Sequence, residues 1–423
     1  MNYDVIIVGG GAAGFFAAIN LAEQRSDLKI AILERGAELL SKVRISGGGR
    51  CNVTHAEFIP QPLSQNYPRG ERELLGPFHR FMTGDTMAWF EDRGVNLKIE
   101  DDGRIFPSSN SSQTIIDCFL KETERLGIEI KIKQTVQSIN RENDKWLLNT
   151  KTDNFTATDL VLATGSNPKM WKLLEKLGHK IVPAVPSLFT FNIKDKRIAD
   201  LPGIATEAQV ELLDRDQNIL KTKNGERSDR GGSQGPLLIT HWGMSGPAIL
   251  KLSAWGARQL NILTYDFKIK VNWLPGGMGT EEVYNKLQEL KFELAKQLVI
   301  KWNQFELPKR LWQNLVNASD IKSTDRWADL NKEQMQNLSL QLVEGIFSVK
   351  GKSTFKEEFV TAGGVSLKEI NFKTFSSKIH DHLYLAGEVL NIDAVTGGFN
   401  FQNAWTGGFM VAQAIAESKK ENV

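Results

Sequence analysis

Val5-Ile6-Ile7-Val8-Gly9-Gly10-Gly11-Ala12-Ala13-Gly14 is the stretch that decides the fold. Four β-branched residues in a row suit a strand buried on both faces of a parallel sheet. Gly9-x-Gly11-x-x-Gly14 follows without a gap, and residues 15–24 carry a helical pattern. A second apolar run at 30–33 closes on Glu34, 20 residues after the last glycine. Strand, glycine turn, helix, strand and acid, in that order, form a βαβ unit suited to a dinucleotide. Gly9 permits the sharp turn, Gly11 lets a pyrophosphate approach the backbone, and Gly14 lets the helix pack on the strand. The N–H groups and dipole at the helix start favour phosphate. Glu34 is placed to accept hydrogen bonds from a ribose diol and to repel a 2′-phosphate.

Later segments bear on which dinucleotide is held. Leu160-Val161-Leu162-Ala163-Thr164-Gly165 reads as a buried strand ending in a small-residue turn. Leu383-Tyr384-Leu385-Ala386-Gly387-Glu388 is another strand followed by glycine and an acid, and Thr396-Gly397-Gly398-Phe399 opens a helix running to about residue 417. A large dinucleotide takes contacts from both chain ends, so this distribution favours FAD over NAD. The start of that last helix would aim its N–H groups at the N1–C2=O edge of a flavin.

Between these segments, residues 44–54 hold Gly47-Gly48-Gly49, two arginines and Cys51, with Lys42 close by. The glycines would let backbone N–H groups and a guanidinium face one anion, Arg50 more than Arg44. No strand–helix unit frames this loop as a second nucleotide fold. Cys51 has no cysteine near it in sequence, which argues against a dithiol site. The loop reads as folding back over the cofactor from the end of the second strand, with Cys51 near the flavin.

These stretches, with Thr240-His241-Trp242-Gly243-Met244-Ser245-Gly246-Pro247 and Thr361-Ala362-Gly363-Gly364-Val365, resemble a known group. It is the bacterial NAD(P)/FAD-dependent oxidoreductase flavoprotein family that includes aminoacetone-oxidase-type proteins and bile-acid dehydro-reductases. The resemblance spans nearly the whole chain, and Ser46-Gly47-Gly48-Gly49-Arg50-Cys51-Asn52-Val53-Thr54 is its most specific part. It implies an α/β, glutathione-reductase-like FAD-binding Rossmann domain with an inserted β-rich, barrel-like subdomain and a small helical subdomain. Residue reading and resemblance together give the expected cofactor positions. From the first half of the chain these are Gly9, Gly11, Ala13, Gly14, Glu34, Arg35, Lys42, Gly48, Gly49, Arg50, Cys51, Asn52 and Val136, the last through its backbone to adenine. From the second strand pair and the C-terminal motif they are Ala163, Thr164, Gly165, Gly387, Glu388, Gly398, Asn400, Phe401, Gln402 and Ala404. His55 stands where the family often has Asn, and Asn403 where it often has a bulky aromatic.

The expected domains are 1–186 (first part of the FAD-binding domain), 187–279 (β-rich insert), 280–346 (helical insert), 347–356 (return linker) and 357–423 (last part of the FAD-binding domain). Short strands are expected at 189–193, 208–213, 237–240 and 267–273, with a polar turn at 223–226, and helices at 281–302, 309–317 and 332–346. Gly276-Gly277-Met278-Gly279 lacks a preceding βαβ context and reads as a loop. With no second dinucleotide fold, NAD(P)H would dock only transiently.

The remaining features narrow the class. A length of 423 residues implies two or three domains. A net charge of +2 gives no reason to expect nucleic acid or a membrane surface. Cys51 and Cys118 are the only cysteines, and no Cys-x-x-Cys suggests a zinc or dithiol site. No signal peptide is expected, no apolar run reaches bilayer length, and a cytoplasmic setting is expected. Cys118 reads as core. His241 is the main candidate for proton transfer, Cys51 a second catalytic candidate, and Trp242 and Trp405 candidates to cover a flavin. The expected activity is an FAD-dependent oxidoreductase passing hydride through flavin N5. The other parties would be NAD(P)H or substrate on one side and an enone-like acceptor or oxygen on the other. The expected partner is a small-molecule substrate. A tRNA-modifying flavoprotein and a non-catalytic redox sensor or scaffold are the competing readings.

Overall fold

A computed structural model describes residues 1–220, 232–276, 278–354 and 360–420. The turn expected at 223–226, Gly277 and the domain edges at 355–359 and 421–423 lie outside the described residues. Two compact units emerge, one made of Met1–Val185 with Val360–Val423 and the other of Pro186–Phe359.

The first unit is built on a parallel sheet in which Glu129–Lys131, Ile30–Leu33, Asn2–Val8, Asn154–Leu162 and Leu383–Leu385 lie side by side in that order. The expected Rossmann architecture holds here. In chain order, the first three of these five strands run outward in one direction, and the later two extend the sheet the other way. That reversal beside Asn2–Val8 opens a crevice beyond the strand ends, where ligands of such folds sit. Val5, Ile6, Ile7, Ile32, Leu160, Val161 and Leu385 are all fully buried, as strands covered on both faces require.

The helices Ala12–Gln24 and Phe399–Lys420 pack closely because Gly408 offers no side chain. A Cβ there would stand 2.8 Å from the Ala13 carbonyl oxygen and 3.0 Å from the Ala17 nitrogen. A small antiparallel sheet, with Thr54–His55 beside Arg104–Pro107 beside Leu97–Ile99, accompanies the helices Glu71–Phe78 and Thr83–Glu91.

The second unit carries a seven-stranded sheet whose strands pair antiparallel. Its sheet and its helices share one core, in which Leu212 and Ile269 join Leu287, Trp312 and Leu338. Two expected helices are shorter than the pattern suggested. The 281–302 window forms an α-helix only at Thr280–Glu293, with a single 3-10 turn at Val299–Lys301, because 297–299 turn away to bond with 325–327 (Val299 N to Asp325 O 3.1 Å, Trp327 N to Gln297 O 3.0 Å). The 332–346 window stops at Val343. Gly345–Lys350 is then a strand on Asp266–Asn272, so Phe347 to Lys350 belong to the sheet and not to a return linker. No described helix is long and apolar enough to cross a membrane.

Candidate functional site

Beyond the ends of Asn2–Val8 and Ile30–Leu33 lies a cavity of about 580 Å³, within the usual size of a small-molecule site. It brings together Gly9, Glu34, Arg35, Val136 and Thr164 from four separate parts of the sequence. It also takes in Gln134, Thr135, Asn167, Pro168, Lys169 and Met170, which sequence reasoning missed. A signal for the last group was present. Asn167 followed by Pro168 is a helix-start pair, and the Asn167 side chain does cap Pro168–Lys176 by accepting from the Lys169 N–H at 3.0 Å. Gln134 is oriented by Asp153, to which it donates at 2.7 Å, and by the Thr150 hydroxyl, from which it accepts at 2.6 Å.

The three glycines of the first loop occupy different surroundings. Gly9 has φ +119°, and a Cβ on it would fall 2.3 Å from the Ala163 carbonyl oxygen. A Cβ on Gly14 would fall 2.1 Å from the Gly9 carbonyl oxygen, whereas one on Gly11 would meet nothing within 4 Å. Glu34 pins the loop, accepting from the Gly10 N–H at 2.8 Å through one oxygen and from the Gly36 N–H at 2.7 Å through the other. Each carboxylate oxygen keeps a further lone pair. The buried Thr164 hydroxyl has no hydrogen-bond partner among the described residues.

The second glycine loop departs from its helix at Ser46 (ψ 149°), after which Gly47, Gly48 and Gly49 take φ +57°, +68° and +85°. Gly48 and Gly49 have open space where a side chain would be. Cys51 follows at φ +62° and is fully buried. Burial pushes its thiol up to about 12, with a hydrogen bond to Ser46 pulling weakly the other way. A thiol held protonated is a poor nucleophile, so its burial argues against Cys51 as a catalytic group.

The cations around this loop are engaged within the protein. Arg50 lies over the Phe106 ring at 3.9 Å and pairs with Glu100 at 2.7 Å, Arg44 donates to Gln113 at 2.7 Å, and Lys42 pairs with Glu388. The anion facing Arg50 in the structure is therefore Glu100, supplied by the hairpin of Leu97–Ile99 and Arg104–Pro107 that sequence reading did not place there.

The C-terminal motif is sewn to the same loop. The Asn52 amide, assigned by its hydrogen-bond network, accepts from the Gly398 N–H at 2.9 Å and donates to the Thr54 carbonyl at 3.0 Å. A Cβ on Gly398 (φ +97°) would stand 2.6 Å from the Thr54 carbonyl, so the close approach at this glycine is to the loop itself. His55 Nδ1 lies 3.1 Å from the Gly397 carbonyl, and its ring faces Phe399 at 4.6 Å. Gln402 accepts from the Thr54 hydroxyl at 2.6 Å and the Thr86 hydroxyl at 3.0 Å. Asn400 closes a two-way bond with the Ala394 backbone (3.0 and 3.2 Å). Ala404 and Trp405 are buried. Trp405 stacks on Phe401 at 5.5 Å and donates to the Val53 carbonyl at 2.9 Å, which makes it a packing residue and not a cover. Gly387 sits against Ala13, whose Cβ would lie 3.3 Å from a Cβ placed on that glycine. The Glu388 carboxylate lies 3.7 Å from where a Cβ on Gly165 would stand.

His241 and Trp242 belong to the second unit, on the turn between Gly232–Thr240 and Gly243–Ser245. The Thr240 hydroxyl accepts from the N–H groups of Trp242 and Gly243, both at 3.2 Å, and so fixes that turn. Trp242 is 58% exposed, and the His241 ring makes no hydrogen bond among the described residues. Cys118 is buried, with its thiol raised to about 11 mainly by burial, in keeping with a core role. No cluster that could hold a metal ion occurs among the described residues.

Comparison with known proteins places this geometry among its relatives. Residues 3–414 match the model of the HI0933-like protein Rossmann domain. The chain is 26% identical over 422 residues to the 3-dehydro-bile acid delta(4,6)-reductase of Clostridium scindens, covering 97% of this chain and 98% of that one. It is 27% identical over 427 residues to the ribosomal RNA dihydrouridine synthase of Haemophilus influenzae, again covering 97% and 98%. Among solved structures, the 3-ketosteroid delta1-dehydrogenase of Sterolibacterium denitrificans aligns with a TM-score of 0.50 at 12% identity, covering 99% of this chain and all of that one. At that identity the likeness concerns the fold.

Proposed function

The chain belongs to the HI0933-like Rossmann family of FAD-binding oxidoreductases, and we propose that it is an FAD-dependent reductase of carbon–carbon double bonds conjugated to a carbonyl. The observation that carries the reading is the cavity at the sheet's switch point, where Gly9, Glu34, Arg35, Val136 and Thr164 converge. Its residues fit the adenosine and diphosphate half of FAD. Gly11 leaves open space against the backbone, the Thr164 hydroxyl has an unused hydrogen-bonding capacity, and Glu34 keeps lone pairs for a ribose diol. Ala13, Gly14, Ala163 and Gly165 would shape the walls. Lys42, Gly48, Gly49, Asn52, Gly387, Glu388, Gly398, Asn400, Phe401, Gln402 and Ala404 would hold the rest of the cofactor.

When bound, FAD supplies the hydride-transferring centre that no side chain provides. The protein's own work is to fix the cofactor's position and to manage charge and protons. Asn52, His55 and Gln402 hold the 47–55 loop to the start of the Phe399–Lys420 helix, whose N–H groups favour negative charge beside them. His241, whose ring makes no hydrogen bond among the described residues, is the proposed proton-transfer group.

The names of two relatives support the substrate class. A delta(4,6)-reductase and a dihydrouridine synthase each saturate a double bond, in both cases one conjugated with a carbonyl. A small enone and a uridine in RNA are thus the two substrate readings. The net charge of +2 favours the small molecule, and the full-length match to the RNA enzyme keeps the second reading in the test.

Purified protein is expected to retain FAD through gel filtration and to bleach anaerobically with NADH or NADPH. Its colour should return on adding a 4-en-3-one steroid. Return of colour only with a uridine-containing ribosomal RNA fragment establishes the second reading. A protein that cannot be loaded with FAD overturns both.

A further inference from the structure

We infer that Tyr67 is a positioning residue that orients the peptide group at the start of the Phe399–Lys420 helix and thereby sets the electron affinity of bound FAD. The inference rests on the functional reading above for the presence of the cofactor, and on the structure for the rest.

Tyr67 is fully buried, between Phe78 at 5.5 Å and Phe399 at 6.4 Å, and its hydroxyl donates to the Phe399 carbonyl at 2.5 Å. Burial raises the phenol far above its ordinary range, against a smaller pull from the Asn403 N–H, so the hydroxyl remains a donor throughout the working pH range. A peptide unit is planar and trans, so the Phe399 carbonyl and the Asn400 N–H point in opposite directions as one rigid body. Holding the carbonyl therefore fixes the N–H.

That N–H is one of the few left unused. Phe401 N and Gln402 N both turn back to the Gly398 carbonyl at 3.1 Å. The N–H groups of Phe399 and Asn400 take no hydrogen bond among the described residues, as befits the first turn of a helix. The Asn400 side chain is meanwhile locked on Ala394, which holds the same peptide from its other side. The segment containing Tyr67 also grips the preceding loop. The Asn66 carbonyl accepts from the Val395 N–H at 2.9 Å, and Arg69 forms an ion pair with the buried Asp393. Those two contacts fasten the loop, whereas the Tyr67 hydroxyl reaches the helix itself. A hydrogen bond to a peptide carbonyl also polarises the amide, making the N–H on its far side a better donor. Tyr67 thus governs both the aim and the strength of an N–H donor at the helix start, which on the functional reading would face bound FAD.

The experiment measures the midpoint potential of FAD bound to the full-length protein by equilibration with a reference dye. Tyr67→Phe removes one oxygen and keeps the ring. It is expected to retain FAD and to shift the potential downward. Difluorotyrosine introduced at position 67 alone is a stronger donor of the same shape, and the shift is expected to be upward. FAD bound at an unchanged potential in both proteins overturns the inference and leaves the functional reading intact. Should Tyr67→Phe fail to fold, the difluorotyrosine protein decides alone, an unchanged potential overturning the inference. Failure of the unaltered protein to take up FAD overturns the functional reading and this inference with it.

Discussion

The two glycine loops of the first unit look alike in sequence and are held by different physics. At 9–14 two glycines are there for space: a Cβ on Gly9 or Gly14 would run into backbone at 2.3 and 2.1 Å. At 48–49 there is no such crowding, and the requirement is conformational, with φ of +68° and +85°. The first loop is therefore part of how strand and helix pack, while the second is a backbone shape beside open space. Substitutions should separate packing failure from shape failure.

Gly14→Val should do the most damage. Its β-carbon has no room and the neighbour is backbone, so a loss above about 3 kcal/mol is expected, seen as little or no cooperative unfolding transition. Gly49→Val should cost about 1–3 kcal/mol in backbone strain. The protein should stay folded by circular dichroism and lose FAD on gel filtration. If the two variants instead unfold equally, the distinction between the loops collapses. Cys51→Ser should cost on the order of 1 kcal/mol and leave FAD bound, since a buried, protonated thiol is a poor nucleophile.

The mildest perturbation tests a site remote from both loops. His179 is buried, with Nδ1 2.9 Å from Glu369 and Nε2 3.1 Å from the Ser377 hydroxyl, just past the C-terminal end of the Pro168–Lys176 helix. Burial is the main cause that lowers its pKa below 6.5, opposed by Glu369 and aided by His380. A histidine whose folded pKa is depressed contributes stability above its unfolded pKa, and that stability is lost as pH falls below about 6.5. Urea midpoints measured from pH 7.5 down to 5 should decline, and His179→Gln should flatten the part of the decline that belongs to this residue. A decline of the same size in the variant would assign the pH dependence elsewhere.

What could be read from sequence was local. The β-branched runs at 5–8 and 30–33 and the glycine spacing between them carry their own signals, and the strand–turn–helix unit followed from them. Residues 281–302 misled because a helical pattern continues past Glu293 while the chain itself leaves to pair with 325–327, a tertiary choice that periodicity does not encode. Gln134 and Lys169 were missed as cavity residues for a similar reason. Each is an ordinary polar residue in its own segment, and only the sheet order brings both beside Glu34. The pairing of Arg50 with Glu100 likewise depends on a hairpin 50 residues away.

The sheet of the first unit is completed by a strand from far along the chain. Leu383–Leu385 pairs with residues 160–162, and between the end of the first stretch of this unit and the start of its second lies the whole of Pro186–Phe359. On a ribosome working at about 5–20 residues per second, that interval lasts roughly 10–35 seconds. During it the outer edge of residues 160–162 and the face of Ala12–Gln24 await partners not yet synthesised. A nascent or prematurely ended chain therefore exposes an apolar strand edge open to wrong pairing, and chaperone occupancy during synthesis should fall off as residues 383–420 emerge.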